Sequence, residues 1–376
     1  MNVIFTCGGT GGHINPAIAA ANIWKEKHPD SKILFIGAKG HMEEQLVPKA
    51  GYELKCLKVS GISRGKSPIA ILKNVKTVVD TYKAVRRCKK IIREFAPDVI
   101  MGTGGYACFP ALMAGSKMGI PTCVHESNAI PGLTTKMVSG KVDKVLVAFP
   151  ESVKHYKNRD NIQVVGMPIK KEFIFTDRKA AREELGIGDE PLVVSAFGSL
   201  GAHKMNEAMA ELFKIEQDHG FPFRHIHATG KVGWKWMPEK VAQYGVDLKT
   251  ATSIDMREYI YNMPTLMAAA DVIISRAGAS SCNEIAATGT PCILIPSPNV
   301  TANHQEKNAR VLAEGGGAVL VLENECTADK LYQHITELLA DPDRMEKMGT
   351  ALKSMVILDC VDRICTIMED LASGKE

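Results

Sequence analysis

The sequence has ten cysteines but no C-x-x-C pair and no regular cysteine spacing. Scattered in this way, they read as reduced, mostly buried thiols of a cytosolic protein and not as a disulfide framework. No long hydrophobic run is present. The uncharged stretch Val99 to Ser116 holds four glycines and a proline and is too broken to span a membrane. The N-terminus lacks a basic segment and runs straight into a glycine loop, so no signal peptide is expected. Aromatic residues are scarce at 6%, which weakens single-stranded nucleic acid as a partner, since bases stack on rings. With 45% apolar and 23% charged residues, disorder, collagen and coiled coil are excluded as the main state. A length of 376 residues implies two domains.

The net charge of +4 conceals an asymmetry. Residues 1–160 carry 24 basic against 12 acidic side chains, and the remainder carries 22 against 30. A basic half joined to an acidic half suggests that one half meets an anionic partner. The charge concentrates between Ser60 and Phe95, where ten Lys and Arg face only Asp80 and Glu94. There Ser67 and Pro68 open a long helix. At 100° per residue, Ile71, Val75, Val78, Tyr82, Val85 and Ile92 form one stripe, expected to be core. Ile69, Leu72 and Val79 lie off that stripe among Lys73, Lys76, Lys83 and Arg87. Such interleaving fits either a membrane-surface face or a solvated basic helix.

The chain repeats strand, glycine loop, helix. Val3 to Cys7 is a short apolar run of the kind a buried parallel strand shows, followed by Gly8-Gly9-Thr10-Gly11-Gly12. Asn15-Pro16 reads as the N-cap and first position of a helix. Further strands are expected at 33–36, 99–101, 122–125 and 144–148. The unit restarts at Leu192 to Phe197, with Gly198-Ser199-Leu200-Gly201 as its loop and strands at 224–228, 270–275 and 292–295. Alternation of this kind implies two Rossmann-like, doubly wound parallel-sheet domains joined near 164–171, with ligands in a cleft between them.

A helix N-terminus behind a glycine loop favours an anion, because its amides are free and its dipole is positive. The first loop is not a dinucleotide fingerprint. G-x-G-x-x-G is absent in register, and no acidic residue closes the strand Ile33 to Gly37. It is not a P-loop, and the Gly-Gly-Thr-Gly stretch of tubulin-like GTPases is not on a first strand. His13, directly after the loop, is placed to act as a general base or to orient the loop. Gly104-Gly105-Tyr106 and His125-Glu126-Ser127-Asn128 close two further strands on the carboxyl edge. Ser275 to Glu284 forms the second anion-receptive helix start. Its Glu284 either serves the helix dipole or takes two ribose hydroxyls. His225 and His227 share a strand face and read as structural, not as a metal pair.

In order and spacing these motifs, with His304-Gln305, resemble the MurG family over nearly the whole chain. These are UDP-N-acetylglucosamine–N-acetylmuramyl-(pentapeptide) pyrophosphoryl-undecaprenol N-acetylglucosaminyltransferases. The resemblance implies a GT-B fold and no bound metal or other cofactor. It implies inverting transfer of N-acetylglucosamine from UDP-N-acetylglucosamine to the muramyl 4-hydroxyl of lipid I. It also implies peripheral attachment to the cytoplasmic face of the cell membrane, with no nucleic acid as partner. Residues 1–165 would form the acceptor and membrane domain and 166–355 the donor domain, with 356–376 a helix returning to the first. Family donor contacts map onto Thr10, Gly11, Gly12, Asn128, Lys170, Ser199, Ile260, Ala279, Ser280, Ser281, Glu284 and Gln305. Tyr106, His125 and Glu126 fall on the acceptor side, and His13 matches the base. The chain departs from the family pattern at Phe197, Leu200, Met167, Ile169, Lys170 and His304. Lys170 keeps a positive charge without the planar fork of arginine.

Alternatives of other kinds are a sugar-nucleotide 2-epimerase, a non-catalytic sugar-nucleotide binder that recruits a transferase to the membrane, and a GTP-binding assembly protein.

Overall fold

The structure is a computed structural model that describes residues 1–61, 67–300 and 303–374. The side chains of Pro68, Ile69, Ala70, Ile71 and Lys73 lie outside the described set, as do Arg64 and Lys66. The chain divides into two units: residues 1–169 with 357–376, and residues 170–356.

The first unit holds a seven-stranded, all-parallel sheet. Its strands are β1 (Asn2–Thr6), β2 (Lys32–Ala38), β3 (Glu53–Leu57), β4 (Val99–Gly102), β5 (Thr122–Glu126), β6 (Lys144–Val147) and β7 (Ile162–Val164). The spatial order is β3-β2-β1-β4-β5-β6-β7. The chain therefore reverses its direction of travel between β1 and β4. That is the topological switch point, where open α/β sheets bind ligands. The central strands read as unbroken apolar runs because helices cover both of their faces. On one face, Ala17, Ala20, Ala21 and Trp24 of the helix Gly11–Lys27 pack with Ile364, Cys365 and Met368 of the helix Cys360–Ser373. Lys27 pairs with Asp362 at 2.7 Å and His28 with Glu369 at 2.9 Å along the same seam.

The second unit holds a six-stranded parallel sheet: β8 (Leu192–Ala196), β9 (Arg224–Ala228), β10 (Ile254–Arg257), β11 (Val272–Ser275), β12 (Cys292–Leu294) and β13 (Ala318–Leu320). The order β10-β9-β8-β11-β12-β13 puts its switch point between β8 and β11.

Two local expectations are corrected. The first helix begins at Gly11, with Thr10 as N-cap, and not at Asn15. Pro16 lies inside it, where it costs one main-chain hydrogen bond without ending the helix. His13 thus belongs to the helix's first turn. The second correction concerns the helix Pro68–Phe95. Val75, Val78 and Tyr82, expected in the core, are 58%, 65% and 59% exposed. The buried stripe is instead Thr77, Ala84, Cys88, Ile91 and Ile92. Small Ala84 and Cys88 let this helix approach Cys108, Ala111 and Leu112 of the helix Cys108–Lys117, and that contact fixes the rotation. Leu72 and Val79 are also exposed, so the amino-terminal half of the helix carries one broad apolar face, with Lys76, Lys83 and Arg87 exposed on it.

Candidate active site

The first constellation grows from the carboxyl ends of β1 and β4, which are paired Thr6 to Gly102. The two loops that follow abut backbone to backbone. A Cβ on Gly105 would lie 2.2 Å from the Gly8 carbonyl oxygen, and one on Gly8 would lie 2.7 Å from the Ala107 Cβ. Only glycine permits this approach. Thr10 makes no side-chain capping bond, so the first-turn amides at Gly11 and Gly12 are not claimed by a cap. This is an anion-receptive helix start.

His13 is half-buried, and its Nδ1 lies 3.0 Å from the Thr103 carbonyl oxygen. The Thr103 hydroxyl donates back to the His13 carbonyl at 2.7 Å. A carbonyl only accepts, so Nδ1 carries the proton and the imidazole lone pair belongs to Nε2. A base needs that tautomer. Thr103, which the sequence reading passed over inside a glycine-rich stretch, thus sets the tautomer of His13. Tyr106 is half-buried and hydrogen-bonds His41 Nε2 through its hydroxyl at 2.9 Å.

His125 and Glu126, expected on the acceptor side, are both buried at the end of β5. His125 is fully buried, and its Nε2 lies 2.8 Å from the Gly166 carbonyl oxygen. Burial lowers its pKa, so the ring is neutral and donates from Nε2. Glu126 is 3% exposed. One oxygen accepts from the Asn128 amide and side chain, both at 3.0 Å, and the other from the Gly132 amide at 2.9 Å. Its work is to shape the loop after β5 and to turn the Asn128 side chain.

The second constellation occupies the switch point of the second unit. Gly198 and Gly201 have φ of +90° and +76°. A Cβ on Gly201 would lie 2.0 Å from the Thr229 carbonyl oxygen. The exposed Ser199 sits on this loop, held by the Lys231 amide on its carbonyl at 3.3 Å. Beside it, β11 leads through Gly278, an extended N-cap without a side-chain capping bond, into the helix Ala279–Thr288. Ala279, Ser280 and Ser281 form its half-buried first turn. Arg276 braces this turn from behind: it pairs with Glu323 and donates to the Ile295 carbonyl at 3.0 Å.

Glu284 is half-buried, and desolvation raises its carboxyl to about 7, with the Lys170 cation opposing the shift. Lys170 itself is exposed. Gln305 uses its side-chain oxygen to accept from the Ser297 amide at 2.9 Å, which pins the proline-rich loop. Ile260 is buried, so its side chain belongs to the interior and its main chain is what a ligand can meet. Thr10, Gly11, Gly12 and Asn128 belong to the first unit, and Lys170, Ser199, Ile260, Ala279 to Glu284 and Gln305 to the second.

His225 and His227 lie in the core of the second unit. The Ser195 hydroxyl is 2.7 Å from His225 Nε2 and 2.7 Å from His227 Nδ1, and His225 Nδ1 is 2.7 Å from Glu216. All four side chains are fully buried. Among the described residues, no group of three or more His, Cys, Asp and Glu could hold a metal ion.

Two Rossmann-like units, each with an anion-receptive helix start at its switch point, define the GT-B fold. Residues 3–147 match the glycosyltransferase family 28 N-terminal domain, and residues 192–364 match the family's C-terminal domain. The chain is 41% identical over 377 aligned residues to the UDP-N-acetylglucosamine–N-acetylmuramyl-(pentapeptide) pyrophosphoryl-undecaprenol N-acetylglucosamine transferase of Acetivibrio thermocellus, with 100% of this chain and 99% of the relative covered. It belongs to that family, the MurG glycosyltransferases. The crystal structure of Acinetobacter baumannii MurG superposes with a TM-score of 0.75 at 24% identity, over 98% of this chain and 99% of that one. The UDP-GlcNAc 2-epimerase of Neisseria meningitidis reaches 0.67 at 16% identity, over 98% and 100%. The fold is therefore common to transferases and epimerases, and it is the sequence that separates them.

Proposed function

We propose that this chain transfers N-acetylglucosamine from UDP-N-acetylglucosamine to the 4-hydroxyl of the muramyl sugar of undecaprenyl-pyrophosphoryl-MurNAc-pentapeptide (lipid I), with inversion, to give lipid II. The observation that carries this reading is identity to such transferases along the full length of the chain.

The chemistry follows from where charge develops. Cleaving the bond between sugar and phosphate leaves negative charge on UDP and positive charge at the anomeric carbon. The amides and dipole at Gly278 to Ser281, with the Gly198–Ser199 loop, stabilise the pyrophosphate as that charge grows. Glu284 accepts the ribose hydroxyls, and Lys170 adds positive charge beside it. The Ile260 main chain and Gln305 complete the donor contacts of the second unit. In the first unit, His13 removes the acceptor hydroxyl proton through Nε2. Thr10, Gly11, Gly12 and Asn128 line the carboxyl edge beside it.

The enzyme acts as a peripheral protein on the cytoplasmic face of the membrane. Among the described residues no helix is long and apolar enough to cross one. The exposed face of the helix Pro68–Phe95 supports surface attachment: Leu72, Val75, Val78, Val79 and Tyr82 supply apolar area, and Lys76, Lys83 and Arg87 attract anionic lipid. Ile69 and Lys73, expected on the same face, have side chains outside the described set.

The test is UDP release from UDP-N-acetylglucosamine with and without a lipid I analogue. Release that depends on the analogue and yields a disaccharide product supports the transferase. Formation of a 2-epimer without any acceptor would replace it with the epimerase.

A further inference from the structure

Glu43, in the first turn of the helix Glu43–Lys49, is wholly buried beneath the first glycine loop. Its Oε1 accepts the Gly9 amide at 2.9 Å and the Ala38 amide at 3.3 Å. Its Oε2 is buried without a hydrogen-bond partner. Among the described residues, no Lys, Arg or His forms an ion pair with it. A carboxylate taken out of water in this way costs several kcal/mol unless its bonds compensate, and orphaned polar atoms in a core call for an explanation. The surroundings are built to admit it. A Cβ on Gly37 would lie 3.1 Å from both the Cβ and the Cγ of Glu43, so a glycine there makes room for the side chain. Gly9 itself has φ of +88°, the left-handed region in which its N–H can turn down toward the carboxylate. Above it, a Cβ on Gly9 would lie 3.2 Å from the Tyr106 ring. The loop is thus held between a carboxylate below and an aromatic ring above.

We propose that Glu43 is a positioning residue for the reaction: by accepting the Gly9 N–H it fixes the turn that leads into the helix Gly11–Lys27, and with it the place of His13. The same bond withdraws the Gly9 amide from ligand binding. An anion docking on this loop is left to the amides of Gly11 and Gly12, one turn further on, beside the His13 ring. Charge-assisted bonds of this type are about twice as strong as neutral ones, so a carboxylate suits a loop of glycines that has little stiffness of its own. This inference rests on the transferase reading for its kinetic part only.

The experiment compares Glu43→Ala, Glu43→Gln and His13→Ala in the full-length chain by three measurements. These are kcat with a lipid I analogue, UDP affinity, and amide hydrogen exchange over residues 7–14. Glu43→Ala should lower kcat roughly 10- to 100-fold, the scale of a catalytic group misplaced by about 1 Å. It should speed exchange over 7–14 and lower UDP affinity far less than it lowers kcat. Glu43→Gln keeps an oxygen for the Gly9 amide and should restore most of both. Wild-type kcat and exchange in Glu43→Ala would overturn the proposal. So would faster exchange spread evenly over the whole first unit, which marks a general folding role, or a glutamine variant no better than alanine. If His13→Ala keeps wild-type kcat, the base assignment fails, and the exchange data alone judge Glu43.

Discussion

The Nδ1 of His13 and the carbonyl oxygen of Thr103 are 3.0 Å apart, and this contact joins the first turn of one helix to the end of the neighbouring strand. It selects the tautomer in which Nε2 is the basic nitrogen. The His13 ring is thereby oriented by main chain, which a side-chain substitution at Thr103 cannot delete.

Replacement of His13 by alanine should lower kcat by about 10²–10⁴-fold, the range for a lost general base. UDP binding, measured by calorimetry, should remain at the wild-type value, since the donor contacts proposed for the second unit are untouched. Thr103→Val removes only the hydroxyl bond to the His13 carbonyl and should cost far less, roughly 0.5–1.5 kcal/mol of stability.

Glu284 carries a pH prediction. Its carboxyl is raised to about 7 by burial, so below that pH it is protonated and loses the two-oxygen acceptor that the proposed ribose contact requires. Affinity for UDP-N-acetylglucosamine should therefore rise with pH between 6 and 8 and level off above. Glu284→Gln should weaken binding by roughly 1.5–3 kcal/mol at pH 8 and flatten the profile. Titrations of both proteins at pH 6, 7 and 8 check it, and parallel slopes would assign the dependence to another group.

Vesicle co-sedimentation addresses the basic helix. Neutralising Lys76, Lys83 and Arg87 should reduce pelleting with anionic vesicles strongly at low salt and less at high salt, because each contributes on the order of 1 kcal/mol within a Debye length. Replacing Leu72, Val75 and Val79 by serine should reduce it at every salt concentration, since apolar burial is not screened. Turnover of a short-chain, soluble lipid I analogue should survive both sets. Equal pelleting of the variants and the wild type would place attachment elsewhere.

The Ser195–His225–His227–Glu216 network predicts acid sensitivity of the second unit. Burial, with His225 nearby, lowers the His227 pKa to about 3. The unfolded chain therefore binds a proton that the folded one refuses between about pH 6.5 and 3. The stability this contributes is present above pH 6.5 and is lost as pH falls toward 3. Urea midpoints at pH 7, 6 and 5 should decline, and His227→Gln should decline less. Glu216→Ala leaves the buried His225 Nδ1 without its hydrogen-bond partner and should cost roughly 1–3 kcal/mol, the scale for an unsatisfied buried polar group.

What the sequence made legible has a simple geometry. The strands expected from apolar runs are the inner ones, β1, β2, β4 to β6, β8, β9, β11 and β12, which are covered on both faces. The four that escaped notice, β3, β7, β10 and β13, are the four sheet edges. Edge strands such as Glu-Leu-Lys-Cys-Leu at 53–57 are half in water and carry no continuous apolar signal. The glycine loops were legible because their composition exceeds what a turn needs. The roles of His125 and Glu126 were not, because a polar residue at a strand end looks the same whether it faces a substrate or braces a loop. Glu43 stands 34 residues from Gly9, and no local pattern ties them.

The helix Cys360–Ser373 belongs to the first unit, although 187 residues of the second separate it from Ile169. The second unit is therefore an insertion within the first. On the ribosome, the first sheet emerges with Ala17, Ala20 and Trp24 bare, and their cover is among the last segments to be made. Synthesis must deliver the whole second unit before that greasy surface is shielded. A frameshift or protease cut that removes only the final twenty residues should thus endanger the amino-terminal unit and spare the second one. The solubility of nascent chains should hinge on chaperones until translation ends.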